Sequence, residues 1–386
     1  MAVRDINPKR SSKILQLFAS DRPQGELDYT FLLLVGVLAA FGLIMLLSAS
    51  TPTADVKFGK SYYFFMHQFA YVAAGAVIMM VLSYIDYRKY KPYARLFMII
   101  CLVLLALVFF PGIGVMHNGS RRWINLGVTE IQPSEFAKLA VSMFFASLVE
   151  DKKYDVTKND GLIKYAIWIG VIGILMLMET HLSGTIVLCG IAVCILIVAG
   201  ANMKPIFIGG GAALGGLILF AWLDPIRSAR ITSFLDPFAD KQGAGYQTLQ
   251  SLYAIGSGGI FGKGLGESVQ KFSYLPEPYN DFIFSVICEE LGLIGAAFII
   301  ALFAGLIIRG FKIATETEDV FGSLMTVGIM AQIAIQTILN IAVATSSMPN
   351  TGVSLPFFSY GGTAVMILLA EMGIVLSVSR YSGKNN

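Results

Sequence analysis

Ten apolar stretches close to bilayer-spanning length run through this chain, at about 29–49, 62–84, 95–112, 134–149, 161–179, 184–200, 205–223, 281–308, 321–347 and 356–379. A helix needs about 20 mainly apolar residues to cross a hydrocarbon core of about 30 Å. Inside that core each backbone polar group must be satisfied within the protein, so stretches of this length dictate a helical bundle. Of the 386 residues, 56% are hydrophobic and 14% charged, and mean hydropathy is +0.70. A soluble domain carries about 25% charged residues, so that class is excluded. The expected fold is an all-α polytopic membrane protein of about ten transmembrane helices. Residues 1–28 form an N-terminal tail, 29–380 one transmembrane domain with a large loop at about 224–280, and 381–386 a C-terminal tail. The fourth stretch is the weakest, being short and carrying Glu135 and Lys138.

Charge placement orients the bundle. With the N-terminus inside, the inner segments hold Arg4, Lys9, Arg10, Lys13, Arg22, Arg88, Lys89, Lys91, Arg95, Lys152, Lys153, Lys158, Lys164, Lys204, Arg309, Lys312, Arg380 and Lys384. These are 18 of the 28 cationic residues. The positive-inside rule then puts both termini in the cytoplasm and the 224–280 loop outside. The first apolar run, from Tyr29, lacks a small-residue cleavage site and reads as a retained signal anchor. An interfacial segment is expected at Ile14–Phe18. Cys101, Cys189, Cys194 and Cys288 all fall in apolar spans, with neither a disulfide pattern nor metal spacing. The chain shows no internal repeat, which disfavours an inverted-repeat transporter.

Two motifs carry no weight. The run from Gly258 to Gly264 resembles a phosphate loop, but Ser257 stands at its first glycine position and Gly264 replaces the required hydroxyl residue. No nucleotide is expected. Asn118-Gly119-Ser120 is a sequon that matters only in a eukaryotic secretory pathway.

The outer loops concentrate the chemistry. Asp281 follows Tyr274-Leu275-Pro276-Glu277-Pro278-Tyr279-Asn280 and precedes an apolar run. It reads either as an N-cap of the next helix or as a general base or metal ligand at the interface, and capping would also position it. Glu289 and Glu290 lie about 12 Å deeper along that helix, in a polar cavity or a buried pair. Glu135 and Lys138, at i and i+3, share a face, either as a self-neutralising pair or with Lys138 meeting an anionic substrate. Arg121 and Arg122 are either interfacial anchors beside Trp123 or a bidentate phosphate site. His181 reads as a solvated turn residue, with a functional role as the weaker reading. The glycines at 256, 258, 259, 262, 264 and 266 make turns or offer N–H groups to phosphate or sugar oxygens. Ser359-Tyr360-Gly361-Gly362 opens the last span, where small residues permit close packing.

Longer runs then carry a resemblance. They are Arg121-Arg122-Trp123-Ile124-Asn125-Leu126-Gly127, Ile131-Gln132-Pro133-Ser134-Glu135-Phe136-Ala137-Lys138, Ala254 to Gly259, Gly262 to Gly266, Leu275-Pro276-Glu277, Asp281-Phe282-Ile283-Phe284 and Leu355 to Gly362. In this order and spacing, over about 29–381, the chain resembles the FtsW/RodA/SpoVE family, the SEDS proteins. That resemblance implies ten helices with cytoplasmic ends. It also implies a peptidoglycan glycosyltransferase that polymerises lipid II at the outer face of the bacterial inner membrane, for division or sporulation. Asp281 aligns with the essential loop aspartate, and Glu135 and Lys138 with the glutamate and lysine of the fourth helix. Departures stand at Tyr279-Asn280 and at His181-Leu182-Ser183-Gly184. The ending Ser377–Tyr381 and the Asn350-Thr351-Gly352 loop resemble FtsW and SpoVE more than RodA.

The expected catalytic residue is Asp281, also the candidate anchor for a divalent cation (Mg or Mn). The expected substrate-binding set is Arg121, Arg122, Trp123, Asn125, Gln132, Ser134, Glu135, Lys138, Lys271, Glu277 and Ser359. Glu289, Glu290 and Asn340 are the expected structural and polar-cavity residues. Implied partners are lipid II, a class B penicillin-binding transpeptidase, membrane lipid and other divisome or elongasome membrane proteins, with no nucleic acid. Two other functions fit the composition, a lipid II flippase or a scaffold that only recruits the transpeptidase.

Overall fold

The computed structural model describes residues 25–381, apart from 118–119, 126, 128, 224–231, 240–242, 244 and 273. The interfacial segment expected at Ile14–Phe18 and the sequon's Asn118 and Gly119 lie outside the described residues, as do most of both tails.

Each of the ten apolar stretches overlaps a helix. In chain order these are α1 (Tyr29–Phe58), α2 (Tyr63–Ser83), α3 (Ala94–Leu107, entered through the 3-10 turn Tyr87–Tyr93), α4 (Pro133–Glu150), α5 (Asn159–Met178), α6 (Leu182–Val198), α7 (Met203–Leu223), α9 (Ile283–Glu316), α10 (Val320–Ala344) and α11 (Gly362–Tyr381). An eleventh, α8 (Tyr246–Gly258), lies in the 224–280 loop. Among the described residues seven segments are long and apolar enough to cross a membrane: α1, α2, Tyr87–Leu107, α5, α9, α10 and α11. The chain is a multi-pass membrane protein.

Helix ends depart from the apolar pattern where local chemistry decides them. Asp28 caps α1, accepting from Phe31 N at 2.9 Å, and Arg309 Nε donates to its other oxygen at 2.7 Å. This pair ties the start of α1 to α9, which continues as helix past the apolar run to Glu316. α1 carries Pro52 internally and stops at Gly59, whose φ of 62° and N–H bond to Asp55 O close the helix. The last helix begins six residues later than the apolar pattern predicts. Residues 355–361 instead turn over the chain ahead of α9, with Tyr360 N donating to Tyr279 O at 2.9 Å.

α10 is the central helix, packed against α4, α6 and α9, and its window is 72% buried. α2 lies along α11. A Cβ on Gly373 would come within 2.4 Å of Met79 O and one on Gly75 within 2.8 Å of Leu369, so both backbones must stay bare to approach this closely. The segment after α3, expected as a loop from Pro111 to Pro133, is a small antiparallel sheet: β1 (Gly114–His117), β2 (Ser120–Asn125) and β3 (Glu130–Ile131), ordered β1-β2-β3.

α9 is broken at Gly292, with φ 67° and ψ −167°. The glycine-rich stretch after α8 repairs the break. Lys263 N and Gly264 N donate to Glu289 O and Glu290 O, each at 3.0 Å, while Leu293 N and Ile294 N donate to Gly259 O and Ile260 O. A Cβ on Gly292 would lie 2.3 Å from Gly262 N. Backbone left open in a membrane-spanning helix costs several kcal/mol per group. The glycines of this stretch make turns, with positive φ at Gly259, Gly262, Gly264 and Gly266, that bring its backbone to the broken helix.

Candidate active site

A cavity of about 540 Å³ opens among β2, α4, the α5–α6 turn, the chain ahead of α9, α10 and the 350–361 segment. Of the expected residues, Arg122, Trp123, Gln132, Ser134, Glu135, Lys138, Glu277, Asp281 and Ser359 line it.

Asp281 stands ahead of α9 and is not its cap. Phe282 takes the N-cap position and makes no side-chain cap bond. Asp281 is held instead through its backbone, its carbonyl accepting from Asn340 Nδ2 of α10 at 2.8 Å. The same amide donates to Val353 O at 2.7 Å, which clamps the two loops together. Ser359 adds a second clamp, its Oγ donating to Asn280 O at 2.7 Å and accepting from Leu355 N. Gly352, with φ +69°, lies close enough that a Cβ there would sit 3.3 Å from Asp281 Oδ2. The carboxylate is thus placed over a bare backbone on the cavity wall.

Pro133 starts α4, where its missing N–H costs nothing. One turn on, Lys138 Nζ pairs with Glu135 Oε2 at 2.7 Å, and Lys138 is only 2% exposed. The self-neutralising pair is present, and both of its members line the cavity.

The two arginines separate. Neighbouring residues on a strand point to opposite faces, so they make no joint fork. Arg122 lines the cavity and donates from Nη2 to Thr180 O at 2.6 Å, whereas Arg121 is exposed and outside the lining. Asn125 is exposed too, its Oδ1 accepting from Gly127 N at 2.6 Å in the following turn.

Lys271, Glu289 and Glu290 also lie outside the lining. Lys271 Nζ bonds Glu290 Oε1 at 2.8 Å, Gly266 O at 2.6 Å and Ser48 Oγ at 3.0 Å. Glu289 receives Lys263 Nζ at 2.7 Å, Ser268 Oγ at 2.5 Å and the N–H groups of Val269 and Gln270. These buried pairs anchor the outer loop to the break in α9, and a lysine so engaged has no reach to the cavity.

Several polar residues on or behind the lining are not among the expected site residues. Gln332 and Gln336 sit one turn apart on α10, a spacing inside an apolar span that marks a polar face. Gln332 Nε2 donates to Glu371 Oε2 of α11 at 3.0 Å, and Glu371 is fully buried. An intramembrane carboxylate is itself such a signal. His181, expected as a solvated turn residue, is buried and lines the cavity. Burial and the nearby Arg122 and Lys138 hold its imidazole well below the usual histidine range. Glu179, just past the end of α5, is buried, and burial pushes its carboxyl up to about 8 against the pull of Arg122. Among the described residues, the buried lining atoms Ser134 Oγ, His181 Nδ1, Asn280 Oδ1, Gln332 Oε1 and Thr351 Oγ1 have no protein hydrogen-bond partner. Buried polar atoms are nearly always satisfied, and these line a cavity that a polar ligand could fill.

The model of the cell cycle protein family FtsW/RodA/SpoVE matches residues 28–384. The chain belongs to that family. Stage V sporulation protein E of Bacillus subtilis (strain 168) is 42% identical over 356 residues, 92% of this chain and 97% of that protein. The probable peptidoglycan glycosyltransferase FtsW of Geobacter metallireducens is 38% identical over 356 residues, 91% and 94% of the two chains. Among solved structures, one chain of a peptidoglycan synthase complex superposes with a TM-score of 0.77 at 28% identity, covering 93% of this chain and 99% of that one. RodA of Thermus thermophilus superposes with a TM-score of 0.70 at 26% identity, covering 92% and 98%. The FtsW/RodA/SpoVE assignment thus agrees with the helical fold and spans nearly the whole described chain.

Proposed function

We propose that this protein is a peptidoglycan glycosyltransferase that polymerises lipid II at the outer face of the bacterial cytoplasmic membrane. The observation that carries the reading is one cavity walled by a carboxylate, Asp281, and by two cations, Arg122 and Lys138. All ten helices then cross the membrane with both termini inside, an orientation supported by the 18 inner cations.

In the reaction a sugar hydroxyl of one lipid II attacks the anomeric carbon of the donor strand. Undecaprenyl diphosphate leaves with inversion. Asp281 takes the hydroxyl proton, and Arg122 and Lys138 face the charge that grows on the leaving diphosphate. Among the described residues no cluster of three or more metal-ligating side chains forms. A magnesium or manganese ion would therefore be held by Asp281 together with substrate oxygens and water, the habit of magnesium at diphosphates. Bound there it would supply Lewis-acid stabilisation of the diphosphate.

A single-pass class B penicillin-binding transpeptidase is the partner this reading needs, since glycan strands must be crosslinked. The likeness to a chain of a peptidoglycan synthase complex supports it. Other divisome or elongasome membrane proteins would join them, and the stronger identity to sporulation and division relatives favours those roles. Labelled lipid II incubated with the purified protein and its transpeptidase tests the function. A glycan ladder that vanishes in Asp281→Ala is expected, because general-base assistance is worth about 10²–10⁴-fold. No ladder from a wild-type complex with competent substrate would favour the flippase or scaffold.

A further inference from the structure

His181 is fixed by the turn that carries it. Its N–H donates to Met176 O at 3.0 Å, and its carbonyl accepts from Thr185 N and from Thr185 Oγ1. Its ring lies over Gly184, where a Cβ would come within 2.6 Å of Cε1 and 2.7 Å of Nδ1. Only glycine leaves the imidazole this seat. The side chain is 7% exposed, lines the cavity and has no hydrogen-bond partner for Nδ1. A buried nitrogen left open in this way is destabilising, and such atoms are rare unless something arrives to meet them.

We propose that His181 is a further binding residue for the diphosphate group of the substrate, taking up a proton as that anion enters the cavity. The inference rests on the glycosyltransferase reading above. Burial first, and then the charges of Arg122 on β2 and Lys138 on α4, oppose a positive charge on the ring. Other charged groups of this region are Glu179 on its own turn, Glu135 beside Lys138, Glu277 and Asp281 on the cavity lining, and Glu371 of α11, which also feels Lys138. A diphosphate cancels the repulsion from Arg122 and Lys138, and its own attraction at close range offsets the cost of charging a buried ring, so the ring charges only with the anion present. The gain is a third cation on the leaving group that does not repel the other two beforehand.

The chain has three histidines, His67, His117 and His181, so imidazole nitrogen NMR on the full-length, histidine-labelled protein in detergent can follow each ring. Geranylgeranyl diphosphate is the probe, with His67→Gln and His117→Gln for assignment. At pH 7.5 the His181 signal should pass from neutral ring to imidazolium as the probe saturates. Calorimetry in Tris and HEPES should show wild type taking up about one more proton than His181→Gln. Its affinity should then gain about tenfold more per pH unit of acidification than the variant's. Gly184→Ala, which removes the seat but keeps the imidazole, should lose the same proton. A ring that stays neutral in the saturated complex, or equal proton uptake in wild type and variant, overturns the proposal. So does failure of the probe to bind a preparation that polymerises lipid II. Polymerisation is measured on the same preparation, because its absence would sink the glycosyltransferase reading itself.

Discussion

The side-chain amide of Asn340, in the middle of the bundle, holds Asp281 by its main-chain carbonyl at 2.8 Å while binding Val353 O at 2.7 Å. The residue expected to do the chemistry is thus positioned from α10, 59 residues away in sequence, rather than by its own helix. Asn340→Ala removes one donor shared by two carbonyls and frees both loops. Polymerisation should fall by about 10–100-fold, in line with misplacement of a catalytic group by about 1 Å. Asn340→Asp, which removes the donor and adds charge, should be no better. Lipid II assays on both variants, with folding checked by thermal melting, decide it. Full activity in Asn340→Ala would show that the clamp is dispensable.

Lys138 and Glu135 are a test of charge pairing at low exposure. Removing one partner of a buried pair strands the other, at about 3–5 kcal/mol, whereas removing both can be close to neutral. Lys138→Met should therefore lower the melting temperature more than Lys138→Met combined with Glu135→Gln. Both should lose polymerisation if Lys138 meets the diphosphate. A melting temperature equal in the single and double variants would mean that water reaches the pair.

The break in α9 depends on Gly292. A side chain there meets both a positive φ and a Gly262 nitrogen 2.3 Å from its Cβ. Gly292→Ala should destabilise the protein by about 1–3 kcal/mol, the order of the cost of a non-glycine residue in a φ/ψ region open essentially to glycine alone. It should also loosen the 259–270 stretch, read as faster hydrogen exchange at Lys263 and Gly264. Unchanged exchange and melting would contradict this account of the kink.

Glu179 gives a pH dependence of stability. Its folded-state value, about 8, lies above its ordinary 4.5 because the carboxyl is buried. The unfolded chain loses this proton first, so the stabilising contribution is complete below about 4.5 and disappears as pH rises towards 8. Between those values stability should fall by about 1.4 kcal/mol per pH unit. Glu179→Gln should flatten that part of the melting profile, and an unchanged slope would assign the effect elsewhere.

Much of the site was legible in the residue pattern because it consists of polar residues where apolar ones are the rule. Asp281, Glu135, Lys138, Arg122, Gln132 and Ser134 all announce themselves in this way and all meet in one cavity. Lys271 announces itself equally and belongs elsewhere, since its partner Glu290 also bonds Ser48, 242 residues distant in sequence. A turn between two spans is ordinarily wet, so the residue pattern marks His181 as solvated. The β2 strand and the 350–361 segment cover it, and neither is near it in sequence.

The sequence by itself determined the membrane class, the ten apolar segments and the family, because each is a local property of residue type summed along the chain. Tertiary structure alone decided which polar residues face the cavity, that Arg121 and Arg122 part company, and that the glycine loop completes a broken helix. Those outcomes turn on strand direction and on backbone groups that must find partners across the fold, and no local pattern encodes which partner they find.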